Sequence, residues 1–351
     1  MDKRYSISEV SEIFNITTNK IRFYEKKGIL QPQRDRENNY RYYTKDDILK
    51  LQTILIYRMI GVPIEDLKDI MGNYQNENLL KHFHNQWSYI NDELHRLRLI
   101  KACLEDMMEA VYDQNVSLEN DFHEKIATFA QKTSNLQKVK NSWKDRWNFD
   151  DWAENYDQSV RSSVGQLGIY QNYERILDNV YNKSIENKNM NIKILEIGVG
   201  TGNLAKKFLC SGYDIIGIDQ SRQMLNVAKR KFPNLKLRVG EFLKIPYENN
   251  TFDVIVSTYA FHHLNNEEKQ IASDEMVRVL KKGGRIVIGD LMFENQRIRE
   301  EIYKTLSKDQ INEIEDEYYS NIESLNNVFK SYGMCLEFLR VDLLNYVITV
   351  E

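Results

Sequence analysis

The chain is 351 residues long and 42% hydrophobic, with 48 Lys/Arg set against 52 Asp/Glu. That length predicts more than one domain, and the near balance of charge excludes a molecule that grips polyanions over its whole surface. The charge is unevenly spread, with eight Lys/Arg and three Asp/Glu from Thr17 to Lys45 but 25 against 30 from Asn148 onward, so one part suits a polyanion and the other does not.

Ser6 with Glu9 three residues on is a capping-box signature, followed by Ile7, Val10, Ile13 and Phe14 at helical spacing. A short turn, "NIT", leads to Thr17 as N-cap of a second helix carrying Ile21, Phe23 and Tyr24. This is helix-turn-helix spacing. The second helix offers Thr18, Lys20, Arg22 and Tyr24 as DNA contacts, because helix N-termini and basic side chains suit phosphates and base edges. Next, "QPQRDRENNYRYYTKDD" interleaves Arg34, Arg36 and Arg41 with Tyr40, Tyr42 and Tyr43, as a β-hairpin wing would, with Asn39 where a turn needs positive φ. Arg34, Arg36, Tyr40 and Arg41 join the candidate DNA-facing set. Thr44 caps a third helix, and Gly61-Val62-Pro63 breaks it before a fourth. The competing reading is a small helical domain with a solvated basic face, which would not need the aromatic hairpin.

Residues 5 to 71 resemble the winged-helix domain of the MerR family of transcription regulators, through "KIRFYEKKGIL", "RENNYRYYTKDDILKL" and "GVPIEDL" in unbroken order. Lys20 replaces the family's usual Thr, and Asn39 the usual Gly of the wing. The resemblance implies a DNA-binding domain over 1–72, with double-stranded promoter DNA and RNA polymerase as partners.

From Leu80 the apolar residues alternate in steps of three and four. One series is Leu80, Trp87, Leu94, Lys101 and Met108; the other is Phe83, Ile90, Leu97, Leu104 and Val111. The pattern predicts a coiled-coil helix over 73–112, broken once at Lys101. A wide-faced amphipathic core helix is the alternative. MerR-like regulators dimerise through a long antiparallel helix here, which implies a homodimer. Cys103 lies off the seam without a partner, so metal sensing is not expected. Residues 113–147 read as a connecting helix, with Phe122, Ile126, Phe129, Leu136 and Val139 as scattered apolar positions and no assigned chemistry.

"IKILEIG" is a short buried strand ending in Glu196 and Gly198; "GVGTG" places glycines at 198, 200 and 202, and "NLAKKFL" begins a helix. A second strand, "DIIGID", ends at Asp219. A glycine turn, a helix and an acid closing the next strand form the general nucleotide-binding arrangement, with Asp219 suited to a ribose diol. A dinucleotide would want a third glycine where Asn203 stands, and no carboxylate facing a pyrophosphate. S-adenosylmethionine (SAM) has an ammonium that Glu196 would welcome, so Glu196 favours SAM over NAD. Then follow Glu241 after a third strand, the strand "FDVIVS", and "VLKKGGRIVIGD" as a Lys-rich helix end, a Gly-Gly turn and a fifth strand. The tail "GMCLEFLRVDLLNYVITV" predicts a closing hairpin.

In that order these motifs resemble class I SAM-dependent methyltransferases over 148–351. The expected fold is therefore multidomain: an α-helical winged helix-turn-helix, a long coiled-coil helix, then an α/β Rossmann-like parallel-sheet domain. The resemblance implies cofactor contacts from Glu196, Gly198, Gly200, Gly202, Asp219 and Glu241, the last where the family usually has Asp. "FDDWAENYDQSV", Phe149 to Val160, resembles the helix that covers the cofactor in small-molecule members and brings in Tyr156.

For the acceptor, "STYAFHHL" stands where amino-directed DNA methyltransferases carry an Asn/Asp-Pro-Pro-aromatic motif, and no cysteine follows a proline as cytosine-C5 chemistry needs. The acidic charge of this half also disfavours nucleic acid. A small-molecule acceptor is the expectation. His262 and His263 are the candidate catalytic bases, against the alternative that they cap or pack the next helix. Tyr156, Tyr259, Tyr318 and Tyr319 are candidate pocket walls, against the alternative that they are simply packed aromatics. Two functions stay open: a regulator that also methylates a small molecule, or a regulator that only senses SAM or a related effector. The three cysteines, Cys103, Cys210 and Cys335, lack metal or redox spacing, and no apolar run reaches membrane-spanning length. With a charged start and no signal peptide, a cytoplasmic protein without bound metal or membrane is expected.

Overall fold

The computed structural model describes residues 3–35, 39–59, 61–65, 67, 79–112, 148–162 and 165–351. The chain forms two compact units, residues 1–98 and 99–351.

In the first unit, α1 (Ile7–Phe14) starts from the predicted capping box: Glu9 N donates to Ser6 Oγ, and Ser6 N donates to Glu9 Oε2 at 2.7 Å. Asn15, at φ 51°, ends it in the left-handed region. Lys20 N donates to the Thr17 hydroxyl at 3.2 Å and opens α2 (Thr18–Lys26). The wing forms from β1 (Gln33–Arg34) and β2 (Arg41–Tyr42), paired antiparallel, with Asn39 at φ 60°. Thr44 and Asp47 cap each other at the start of α3 (Lys45–Met59). Val10, Ile21, Tyr24, Leu30, Tyr43, Leu51 and Ile54 form the core, all almost fully buried.

The long helix α4 (Leu79–Tyr112) runs unbroken. Its first turns are fixed on α3 by a buried hydrogen bond from Gln86 Nε2 to Thr53 Oγ1 (2.8 Å) and by an edge contact between Tyr89 and Tyr57. The predicted connecting helix at 113–147, and most of the helix expected after Pro63, lie outside the described residues.

After α4, the described part of the second unit continues with α5 (Phe149–Trp152), α6 (Tyr156–Ser162) and α7 (Tyr173–Ile185). The strands β3 (Lys193–Ile197), β4 (Asp214–Asp219), β5 (Lys236–Val239) and β6 (Phe252–Thr258) alternate with helices α8 (Asn203–Cys210) and α9 (Arg222–Lys231). After α10 (Asn266–Val279) come β7 (Leu280–Phe293), α11 (Gln296–Tyr303), α12 (Lys308–Glu315), β8 (Ser320–Asn321), α13 (Ile322–Lys330), β9 (Leu336–Arg340) and β10 (Asn345–Val350). The sheet order is β5-β4-β3-β6-β7-β10-β9, with β8 beside β7. β3 to β7 run parallel, and the tail is the expected antiparallel hairpin. Parallel strands covered on both faces need continuous apolar runs, which is why "KILEI", "FDVIVS" and "RIVIGD" are legible as strands.

One boundary differs from the sequence reading. α10 stops at Val279, and Leu280 already pairs with Phe252 as the start of β7. "LKKGG" is thus an irregular strand entry rather than a helix end, with Gly283 at φ 73° making the bend. The strand order reverses between β3 and β6, so their carboxyl ends open a crevice at a topological switch point.

Candidate cofactor and acceptor site

That crevice is a cleft walled by Gly198, Gly200, Asp219, Glu241, Phe149, Tyr156, Tyr259 and His263 among others. It gathers the sequence candidates from four strand ends and the cap. Gly198 stands at φ 72°, and a Cβ there would lie 2.5 Å from Ala260 Cβ, so only glycine lets the turn pass under β6. Asp219 ends β4 with its Oδ2 accepting from Gly200 N at 2.8 Å and its Oδ1 from Ser221 N at 2.9 Å. Glu241 lies on the cleft wall 3.9 Å from Lys244 Nζ. Gly202 is not in that wall; it is the N-cap of α8, at φ 85°.

Glu196 sits behind the cleft at the end of β3, 1% exposed, and its Oε2 has no hydrogen-bond partner among the described residues. Burial, then the Asp219 carboxylate, push its pKa well above the usual range, against a hydrogen bond from the Ala205 backbone. A buried carboxylate with an orphaned oxygen beside a glycine turn fits a cationic group. The donor set therefore fits SAM: a glycine turn, an acid at the ribose position and an acid awaiting an ammonium.

The cap is tied down by its carboxylates. Asp157 on α6 accepts from Thr201 Oγ1 at 2.6 Å and from Lys231 Nζ at 2.6 Å, and Asp150 accepts from Ser221 Oγ at 2.7 Å. Sequence reading missed this network, since Asp157 and Lys231 are ordinary surface charges on a helical pattern. In the cleft wall, Tyr259 stacks on Tyr173 with centroids 5.3 Å apart and donates its hydroxyl to Asn345. Tyr259 holds φ 49°, a costly conformation for an aromatic residue. Tyr318 and Tyr319 do not line the cleft.

The two histidines diverge. His262 is 2% exposed and pairs through Nδ1 with Asp290 Oδ1 at 2.5 Å. Burial pulls its pKa down, but Asp290 outweighs burial and the net shift is upward. Asp290 Oδ2 also accepts backbone N–H groups of Ala260, Phe261 and His262 at 2.7–3.2 Å. His263 lines the cleft, its Nδ1 3.0 Å from Glu317 Oε2, and burial followed by the neighbouring His262 hold its pKa below the ordinary value. Neither Asp290 nor Glu317 was legible as a site residue.

In the first unit, Lys20 and Arg22 are exposed on α2 and Thr18 is half-buried. On the wing Tyr40 is 76% exposed, Arg34 is exposed and donates to Asn39 O, and Arg41 pairs with Glu25 at 3.1 Å. Tyr24 is a correction: at 2% exposure its ring belongs to the core, so it leaves the DNA-facing set. Arg36 lies outside the described residues. Among the described residues no helix is long and apolar enough to cross a membrane.

Two family profiles match separate stretches of the chain. The profile of the MerR HTH family of regulatory proteins matches residues 5–74, and that of the "Methyltransferase domain" family matches 195–288. An uncharacterized methyltransferase of Bacillus cytotoxicus is 38% identical over 200 residues, spanning 55% of this chain and 91% of that protein. One of Oceanobacillus iheyensis is 36% identical over 212 residues, spanning 58% and 95%. Magnesium protoporphyrin IX methyltransferase of Synechocystis with bound SAH, a solved structure, aligns at TM-score 0.46 and 12% identity, covering 59% of this chain and 99% of that one.

Proposed function

Because this chain belongs to the SAM-dependent methyltransferase family and carries a MerR-family helix-turn-helix ahead of that domain, we propose that it is a DNA-bound regulator that methylates a small molecule. The observation that carries the enzymatic half is the orphaned carboxylate of Glu196 beside the Gly198–Gly202 turn. When bound, SAM supplies an electrophilic methyl group on a sulfonium. Glu196 meets its ammonium, Asp219 its ribose and Glu241 its adenine side, with Tyr156 as cover. The residues hold the two reactants in line, which is a large share of what methyl transfer needs. The acceptor enters beside His263, the histidine that faces the cleft, while His262 shapes the turn from behind. Phe149, Tyr259 and Leu264 on the same wall favour a compact, partly apolar acceptor.

The regulatory half reads promoter DNA through α2 and the wing, with Lys20, Arg22, Arg34 and Tyr40 outward, and works with RNA polymerase. The chain acts as a homodimer through α4. Leu94, Leu97, Leu104 and Met108, all on the predicted seam, are 42–55% exposed in the single chain, and a second copy would bury them. The deciding experiment incubates full-length protein with methyl-labelled SAM and pools of small-molecule acceptors. Labelled product that disappears with Asp219→Ala supports the reading; SAM binding without transfer to any pool leaves a sensor in place of an enzyme.

A further inference from the structure

We infer that His262, His263 and Glu317 form a divalent-cation site at the acceptor end of the cleft, suited to an ion of the zinc class. One ligand atom from each lies within 4.8 Å of the other two. His263 Nδ1 and Glu317 Oε2 are 3.0 Å apart, close to the edge of about 3.3 Å that a tetrahedral ion with bonds of about 2.0–2.1 Å imposes.

Independent features build this cluster. His262 spends Nδ1 on Asp290, so Nε2 is the nitrogen left to bind a cation. Asp290 is itself held by three backbone N–H groups of the histidine turn. A carboxylate that fixes the tautomer of a histidine ligand is the usual outer support of a metal centre. Glu317 is brought in from a distant loop, and that loop is stapled to the histidine turn. Tyr318 N donates to His262 O at 2.9 Å, and the Lys269 ammonium bridges Leu264 O and Tyr318 O. Two imidazoles and one carboxylate would make a three-ligand set with a fourth position open, the arrangement of catalytic rather than structural zinc. Of the three, His263 lines the cleft, so an ion held here would sit at the cleft's edge, beside the space assigned to the acceptor. The ion would take a lone-pair donor of the acceptor (oxygen, nitrogen or sulfur) and orient it, so the inference rests on the acceptor reading given above.

The test uses full-length protein stripped by chelator and titrated with Co2+ as a spectroscopic stand-in for Zn2+. Expected is one Co2+ per chain with the visible bands of a tetrahedral site, displaced by Zn2+. H263A and E317Q should each weaken binding by about 100-fold or more, and D290N by 10–100-fold. D290N alters a buried group, so its thermal melt is recorded alongside; E317Q changes a loop side chain and serves as the decisive variant. No stoichiometric Co2+ binding, or binding that E317Q and H263A leave intact, overturns the inference. Methyl transfer by metal-free protein would overturn the metal role while leaving the acceptor reading standing. Tight Co2+ binding without transfer to any acceptor would do the reverse.

Discussion

Lys231 Nζ lies 2.6 Å from Asp157 Oδ2, and the same ammonium reaches Thr201 Oγ1 at 3.1 Å and Asn203 Oδ1 at 2.8 Å. One cation thereby ties the cap helix α6 to the glycine turn and to the last turn of α9. The pair is partly exposed, so its net stabilisation is small; its value is geometric, since it holds Tyr156 over the cleft.

Lys231→Ala should weaken SAM binding several-fold and increase hydrogen exchange across residues 149–162, while Lys231→Arg retains most of both. Burial acts to raise the Asp157 carboxyl, but hydrogen bonds from Lys231, Thr201 and Asn203 outweigh it and hold it below 3.8. A depressed carboxyl stabilises above its unfolded value and loses that contribution as pH falls through the folded one. Cap exchange in the wild type should therefore rise only in strongly acidic solution. Equal exchange in Lys231→Ala and wild type at neutral pH would count against the latch.

Glu196 makes the opposite prediction. Its folded pKa is raised above the model-peptide value of 4.5, so its contribution to stability is complete below that value and is lost as pH rises through the folded pKa. The melting temperature of cofactor-free protein should decline over that rise, and Glu196→Gln should flatten the decline. SAM affinity should run the other way, increasing with pH as Glu196 ionises to meet the ammonium, and falling in Glu196→Gln. Calorimetry and thermal melts run upward in pH from the ordinary carboxylate range read both. A Glu196→Gln variant that binds SAM as tightly as wild type would remove Glu196 from the cofactor site.

Local signals were the legible part of this chain. Ser6 with Glu9, Thr17 and Asn39 act through neighbours a few residues away, and each does what its sequence pattern implies. The strand-turn-helix around Gly198 is equally local. The illegible part is pairing between distant segments: Asp290 with His262, Glu317 with His263, and Lys231 with Asp157 become neighbours only when the sheet closes. Tyr24 failed for a related reason, because helical spacing gives a side chain's angle but not which other element covers it. Leu280 failed because a helix end and an irregular strand entry share the same Lys-Lys-Gly-Gly chemistry.

On the DNA side, Lys20→Ala and Arg22→Ala in the full chain should weaken binding to specific and random duplexes together if these side chains grip phosphates. The slope of log affinity against log salt should flatten by about 0.9 per lost contact. Tyr24→Phe, in the core, should leave the slope unchanged. Mobility-shift titrations at three salt concentrations separate these outcomes. A variant that changes only the preferred sequence would instead assign that residue to base edges.

The last prediction concerns the two halves together. α5, the first turn of the cap, begins at Phe149, immediately after the stretch 113–147 that follows α4. The cap is thus the part of the cofactor site nearest in sequence to the DNA-binding half, which is the ground for predicting coupling between SAM and DNA. Such coupling exists only if SAM has different affinities for the DNA-bound and free protein, because equal affinity shifts nothing. Reciprocity then requires operator DNA to change SAM affinity by the same factor. The expected result is a several-fold change in DNA affinity on adding SAM, or SAM with acceptor, matched by calorimetry of SAM with and without operator. Asp219→Ala should abolish the effect while basal DNA binding remains. Each hydrogen bond to a charged group is worth about 1.5–3 kcal/mol, so losing two ribose contacts weakens SAM by about a hundredfold or more. Lys231→Ala should reduce the coupling more than it reduces SAM affinity, since it loosens the cap without removing a cofactor contact. One SAM affinity, indifferent to operator in wild type and variants alike, would leave the halves tethered but thermodynamically independent.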